Sequence, residues 1–107
     1  MNPITGLPDD VISEVVDAVE DIVDDRYVEK FCIGTTGDYE RRTSEIGADD
    51  VVPVYKTESA NHAKDVEESL LDVFRDDPRL KDGDECGGGG VSVDGVQYVC
   101  VAVWMSG

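Results

Sequence analysis

Two side chains, Arg42 and Glu67, fall where a charge is costly unless something meets it. Over 38–46 the chain reads as a short helix. At about 100° per residue, Arg42 shares the side of Tyr39 and Ile46 while Arg41 points away. A later helix, about 60–75, carries Ala63, Val66, Leu70, Leu71, Val73 and Phe74 along one apolar arc. Glu67 lies inside that arc, whereas Asp65, Glu68 and Asp72 lie outside it. An ionised carboxylate on a buried face requires a cation, a metal ion or water in a cleft. The plain alternative is a structural bridge between Glu67 and Arg42, which needs no ligand.

Other chemistry finds little support. His62 is the single histidine, so histidine-based metal clusters and Ser-His-Asp triads have no basis. Cys32, Cys86 and Cys100 make an odd count without C-x-x-C spacing, which points to reduced thiols rather than a disulfide framework or a zinc site. Gly87 to Gly90 lacks the following Lys-Ser or Lys-Thr of a phosphate-binding loop and reads as a flexible connection.

The elements that position Arg42 and Glu67 follow from periodicity. Pro8-Asp9-Asp10 suits the first turn of a helix, and Val11, Ile12, Val15, Val16, Val19, Ile22 and Val23 recur at helical spacing to about residue 25. Tyr27 to Ile33 reads as a strand and Gly34 to Gly37 as the turn into the Arg42 helix, with Thr36 or Asp38 as its cap and Gly47 as its stop. Val51 to Tyr55 forms a second strand, with Pro53 demanding an edge. Ser59 caps the Glu67 helix, which stops before Pro78. Asp94-Gly95 marks a hairpin over about 91–104, whose long second arm, Val96 to Trp104, is apolar on both faces and suits the centre of a sheet. The expected fold is α+β: one domain over 1–107, a small, mostly antiparallel sheet with three helices packed on it.

Twenty-five acidic residues stand against nine basic ones, for a net charge of -16, and the acids are spread through every segment. Even spreading suits a solvent of molar salt, where the Debye length falls to about 3 Å and self-repulsion is muted. The same charge argues against general affinity for nucleic acid, so any nucleic-acid partner would be held by specific contacts. No run is long enough to cross a membrane, and the first residues lack the pattern of a secretory signal. The expectation is a cytoplasmic protein with no membrane partner.

The order of strand, Ile-Gly turn, arginine helix and glutamate helix resembles the GIY-YIG nuclease superfamily over roughly residues 28–78. Cys32-Ile33-Gly34 is similar to the Tyr-Ile-Gly element. Arg42, eight residues beyond the glycine, stands where the family has its catalytic arginine, and Ala63 to Leu71 resembles the metal-binding glutamate segment and selects Glu67. The departures are the absence of a Gly-Ile-Tyr strand ahead of this element, Cys32 in place of the motif tyrosine, Ile46 in place of a frequent histidine, and Arg79-Leu80 where an asparagine is expected. The resemblance implies that the C-terminal arm supplies the missing strand and that Tyr98 or Tyr27 substitutes for a lost tyrosine. It further implies Mg²⁺-dependent hydrolysis of a DNA phosphodiester, with Glu67 as the metal ligand, Arg42 on the phosphoryl oxygens, and Tyr39 shaping the site or orienting water. The competing expectations are a catalytically inactive domain of that fold serving a protein partner, and an unrelated acidic domain.

Overall fold

The computed structural model describes residues 2–37, 39–81 and 95–106, with the side chains of Tyr39, Glu40, Arg42 and Glu45 outside the described ones. In chain order the elements are α1 (Pro8–Val23), β1 (Val28–Thr36), α2 (Tyr39–Ile46), β2 (Asp50–Thr57), α3 (Ala60–Phe74) and β3 (Gln97–Met105). The first arm of the expected hairpin, Asp94 of its turn and the cap candidate Asp38 lie outside the described residues.

The three strands form one sheet in the order β1-β3-β2. Both ladders are antiparallel, with Ile33 opposite Val101 and Thr35 opposite Val99 on one side, and Val51 opposite Ala102 and Thr57 opposite Gln97 on the other. The arm expected at the centre is at the centre. A strand apolar on both faces loses nothing by being covered on both, and β3 is buried at six of its nine positions from Val99 back to Gln97 and forward to Val103. Pro53 sits in an edge strand, where a residue without an N–H is tolerated, and the register shifts between Pro53 and Tyr55.

Alternation along the strands divides the core in two. On one face Phe31, Ile33, Val99, Val101 and Val103 meet Val15 and Val19 of α1 and Ala63, Val66 and Leu70 of α3. The rings of Phe31 and Phe74 close the lower end edge to face, with centroids 6.0 Å apart. On the other face Cys32, Val51, Cys100 and Ala102 form a smaller cluster, against which Ile46 of α2 packs. This corrects the expectation of three helices packed together on the sheet. The helical layer holds two, α1 and α3, because only they carry apolar stripes long enough to cover three strands; α2, two turns long, contributes Ile46 to the opposite face.

Two further corrections concern boundaries. β1 continues through Gly34, Thr35 and Thr36, which the sequence reading gave to the turn. β-branched threonines suit a pleated strand, and both are buried there. Val73, assigned to the apolar arc of α3, is 51% exposed, and the buried stripe is Ala63, Val66, Leu70 and Phe74. Ser59 caps α3 as expected, its Oγ accepting from the His62 N–H, and Gly47 follows α2 with φ +67°, the left-handed geometry that glycine adopts at little cost.

Single residues clip the outer edges of the sheet. Ile4 bridges to Tyr55 beside β2, and Leu80 bridges to Phe31 beside β1. Tyr55 strengthens the first clip by donating its hydroxyl to the Gly6 carbonyl. Among the described residues no helix is long and apolar enough to cross a membrane.

Candidate functional site at the strand ends

β1 and β2 run parallel to each other on either side of β3, so their C-terminal ends and the starts of α2 and α3 share one end of the sheet. Glu67 lies two turns into α3, half-buried, next to the fully buried Val66. Its Oε2 accepts a hydrogen bond from the hydroxyl of Thr35, a contact that joins residues 32 positions apart. Thr35 is 8% exposed and occupies the row of Phe31 and Ile33 on the α3 side of the sheet. A hydroxyl in that row would be left unsolvated without a partner, and the carboxylate supplies one.

The side chains of Tyr39 and Arg42 are outside the described ones. Their helix is placed by its neighbours: Ile46, one turn beyond Arg42, packs on the Cys32–Cys100 side, while α3 covers the other face. Arg42 and Glu67 therefore stand on helices that the sheet separates.

Neither tyrosine proposed as a substitute lies on the Glu67 side. Tyr27 precedes β1 and is eight residues from Thr35, about 26 Å along a strand; it is 49% exposed at the opposite end. Tyr98 is at the right end, opposite Thr36 in register, but packs with the Cys32–Cys100 cluster.

A second polar junction, which sequence reasoning noted only as a departure from the family pattern, anchors the lower end. Arg79 donates from Nε and Nη2 to the two oxygens of Asp77 at 3.1 and 2.9 Å, and from Nη1 to the Val23 carbonyl at 2.6 Å. Its guanidinium lies 5.6 Å from the Phe31 ring centroid, and its own carbonyl accepts from the Phe31 N–H. The hydrogen bonds from Arg79 hold the Asp77 carboxyl below the usual carboxylate range, and those same bonds raise the guanidinium. The signal available in sequence was the Asp-Pro-Arg spacing just after α3, where a short turn returns the arginine to the preceding aspartate.

The cysteines also need correction. Cys32 is disulfide-bonded, whereas Cys100 is a buried thiol, so the three are not all reduced. Sequence spacing gave no sign of the bond because long-range proximity leaves no local pattern. His62 lies in the first turn of α3.

Among the described residues no group of three His, Cys, Asp or Glu side chains is arranged to hold a metal ion. A closed protein cage for an ion is therefore not what Glu67 offers. It offers one carboxylate, held by the Thr35 hydroxyl, at the end of the sheet where β1 and β2 finish. Compared with known proteins, the chain matches no family model, no curated protein and no solved structure.

Proposed function

We propose that the chain is a GIY-YIG-like domain that hydrolyses a phosphodiester of DNA, with Glu67 recruiting one Mg²⁺ and Arg42 binding the phosphoryl oxygens. The observation that carries this reading is the bond from Thr35 to Glu67. It joins the segment after Cys32-Ile33-Gly34 to the glutamate helix, the two stretches that sequence reasoning selected separately. The central position of β3 adds support, since the C-terminal arm then stands in for the missing first strand. Mg²⁺ suits a lone carboxylate because it keeps several waters and takes further oxygens from substrate phosphate. When bound it would stabilise charge on the leaving oxygen; Glu67 holds it, and Arg42 neutralises the developing charge. Tyr39, three residues before Arg42, shapes the site or orients water. The solvent that fits the net charge of -16 is molar salt.

The test is a Mg²⁺ titration in molar KCl, followed by NMR and paired with cleavage assays on nicked and branched DNA. Saturating shifts centred on Glu67, lost in Glu67→Ala together with cleavage, are the expected result. Shifts spread over all the carboxylates, with no cleavage, would sink the proposal.

A second function, that of a non-catalytic module docking a protein, is favoured by one patch. At the end of the sheet away from Thr35, Tyr27 is 49% and Met105 38% exposed. The Arg26 guanidinium lies 4.9 Å from the Tyr27 ring centroid, and the Lys30 ammonium lies 4.9 Å from that of Trp104. Aromatic residues, methionine and arginine are the types enriched at protein interfaces. Loss of binding in Tyr27→Ala with cleavage intact would assign the two functions to opposite ends of one domain.

A further inference from the structure

We infer that residues 2–5 form an exchangeable strap, which seats on the β2 edge of its own chain or of a second copy, and that Gly6 is the hinge that decides between the two.

The strap is held as an added strand is held. The Ile4 N–H donates to the Val54 carbonyl at 3.0 Å, and the Ile4 carbonyl accepts from the Lys56 N–H at 2.9 Å, in a parallel bridge beside Tyr55. The Ile4 side chain is half-buried against the larger core cluster. Main-chain bonds thus supply affinity and one aliphatic contact supplies register, which is how sheets accept an extended peptide. Residues 2–7 carry no charged side chain. Such a segment can approach a second acidic copy without bringing like charge of its own, and molar salt screens the remainder.

Gly6 has φ +134°, and a Cβ built on it would stand 2.9 Å from Val11 Cγ1. Glycine is therefore the residue that lets the strap fold back over its own chain at little cost. The hinge is narrow. The Leu7 carbonyl already accepts from the Asp10 and Val11 N–H groups, so a rotation at Gly6 leaves the start of α1 intact. The Tyr55 hydroxyl donates to the Gly6 carbonyl and latches the closed form. Opening gives up these bonds, and seating on a second copy remakes those of Ile4. Closed monomer and exchanged dimer then differ chiefly at the hinge, the condition under which swapping an element is a low-cost route to a dimer. Leu7, 58% exposed beside the hinge, lies where two exchanging chains cross, and meeting its counterpart there would take an apolar side chain out of water.

The experiment mixes isotope-labelled and unlabelled full chains in molar KCl, from micromolar to millimolar concentration. Sedimentation gives the mass, and isotope-filtered NOEs between Ile4 and Tyr55 tell whether the strap sits on its own chain or on another. Wild type, Gly6→Ala and Ile4→Asp are compared, with amide spectra establishing that each is folded; the wild-type mixture is informative without any substitution. The expected result is a closed monomer at micromolar concentration and interchain Ile4–Tyr55 contacts at millimolar. Gly6→Ala should raise the dimerisation constant by about 10-fold or more, because each of two chains sheds a strained residue, and Ile4→Asp should abolish the dimer. Contacts confined to one chain, in the wild type and Gly6→Ala alike, overturn the inference. A dimer that persists in Ile4→Asp, or in which each Ile4 stays on its own chain, also overturns it, since another surface would then be responsible. Exchange that Gly6→Ala does not strengthen removes Gly6 as the hinge.

Discussion

Two carboxylates are held near β1, one at each end of the strand, and they are held differently. Asp77 receives two bonds from a guanidinium that also takes the Val23 carbonyl and lies against Phe31. Its charge is cancelled where it stands. Glu67 receives a bond from a neutral hydroxyl, which orients it without bringing an opposite charge. The lower junction ties α1, the edge of β1 and the exit of α3 into one piece. The upper one ties the end of β1 to α3 through a single hydroxyl. Hydrogen bonding alone does not distinguish structure from chemistry; what the donor does to the charge does.

The contrast can be broken by mutation. Arg79→Ala should lower stability by about 2 kcal/mol, since it strands Asp77 and frees the end of α1; thermal unfolding in molar KCl measures this. Glu67→Leu alone leaves the Thr35 hydroxyl without that acceptor and should cost about 1 kcal/mol, while Thr35→Val with Glu67→Leu should return to wild-type stability or exceed it. A double variant less stable than either single one would show that both junctions are structural.

Acid sharpens the comparison further. The carboxyl of Asp77 is depressed in the folded state, so it contributes stability that is present above its unfolded value of about 3.9 and is lost as pH falls through the lower, folded value. Arg79→Ala should flatten this part of the pH–stability profile, and Thr35→Val should leave it unchanged. The smallest effect belongs to the exposed pairs on α3, Lys64 with Glu68 and Arg75 with Asp72. Lys64→Ala should leave the melting temperature in molar salt unchanged within error, because exposed pairs are screened.

Much of the frame was legible in the sequence because it is written in local periodicity. The 3.6-residue spacing of Val15, Val19 and Val23 gave α1, Ser59 gave the start of α3, and the unbroken apolar run from Val99 to Val103 gave the central strand. Pro53 gave an edge through the N–H it lacks. What escaped depends on neighbours that only the fold supplies. Thr35 was read as turn because it follows glycine, and its meaning lies in Glu67, 32 residues away. Arg79 looked like a missing asparagine; its partners Val23 and Phe31 are remote in sequence. The bond at Cys32 is equally invisible to spacing. Glu67 was singled out because a charge inside an apolar stripe is anomalous locally, before any partner is known.

The place of β3 bears on how the chain comes into being. Among the described residues β1 and β2 make no ladder with each other; the strand between them is β3, which comes last of the three in the chain. During synthesis both outer strands and all three helices are therefore exposed to solvent before the strand that joins them has left the ribosome. Nearly every sheet contact spans tens of residues, an arrangement that slows folding because loop closure precedes its reward. A nascent chain in that state presents apolar stripes with no sheet to cover. Its dense and evenly spread negative charge, read above as a feature of the folded surface, would also keep the waiting chains apart until Gln97 to Met105 arrives and closes the sheet.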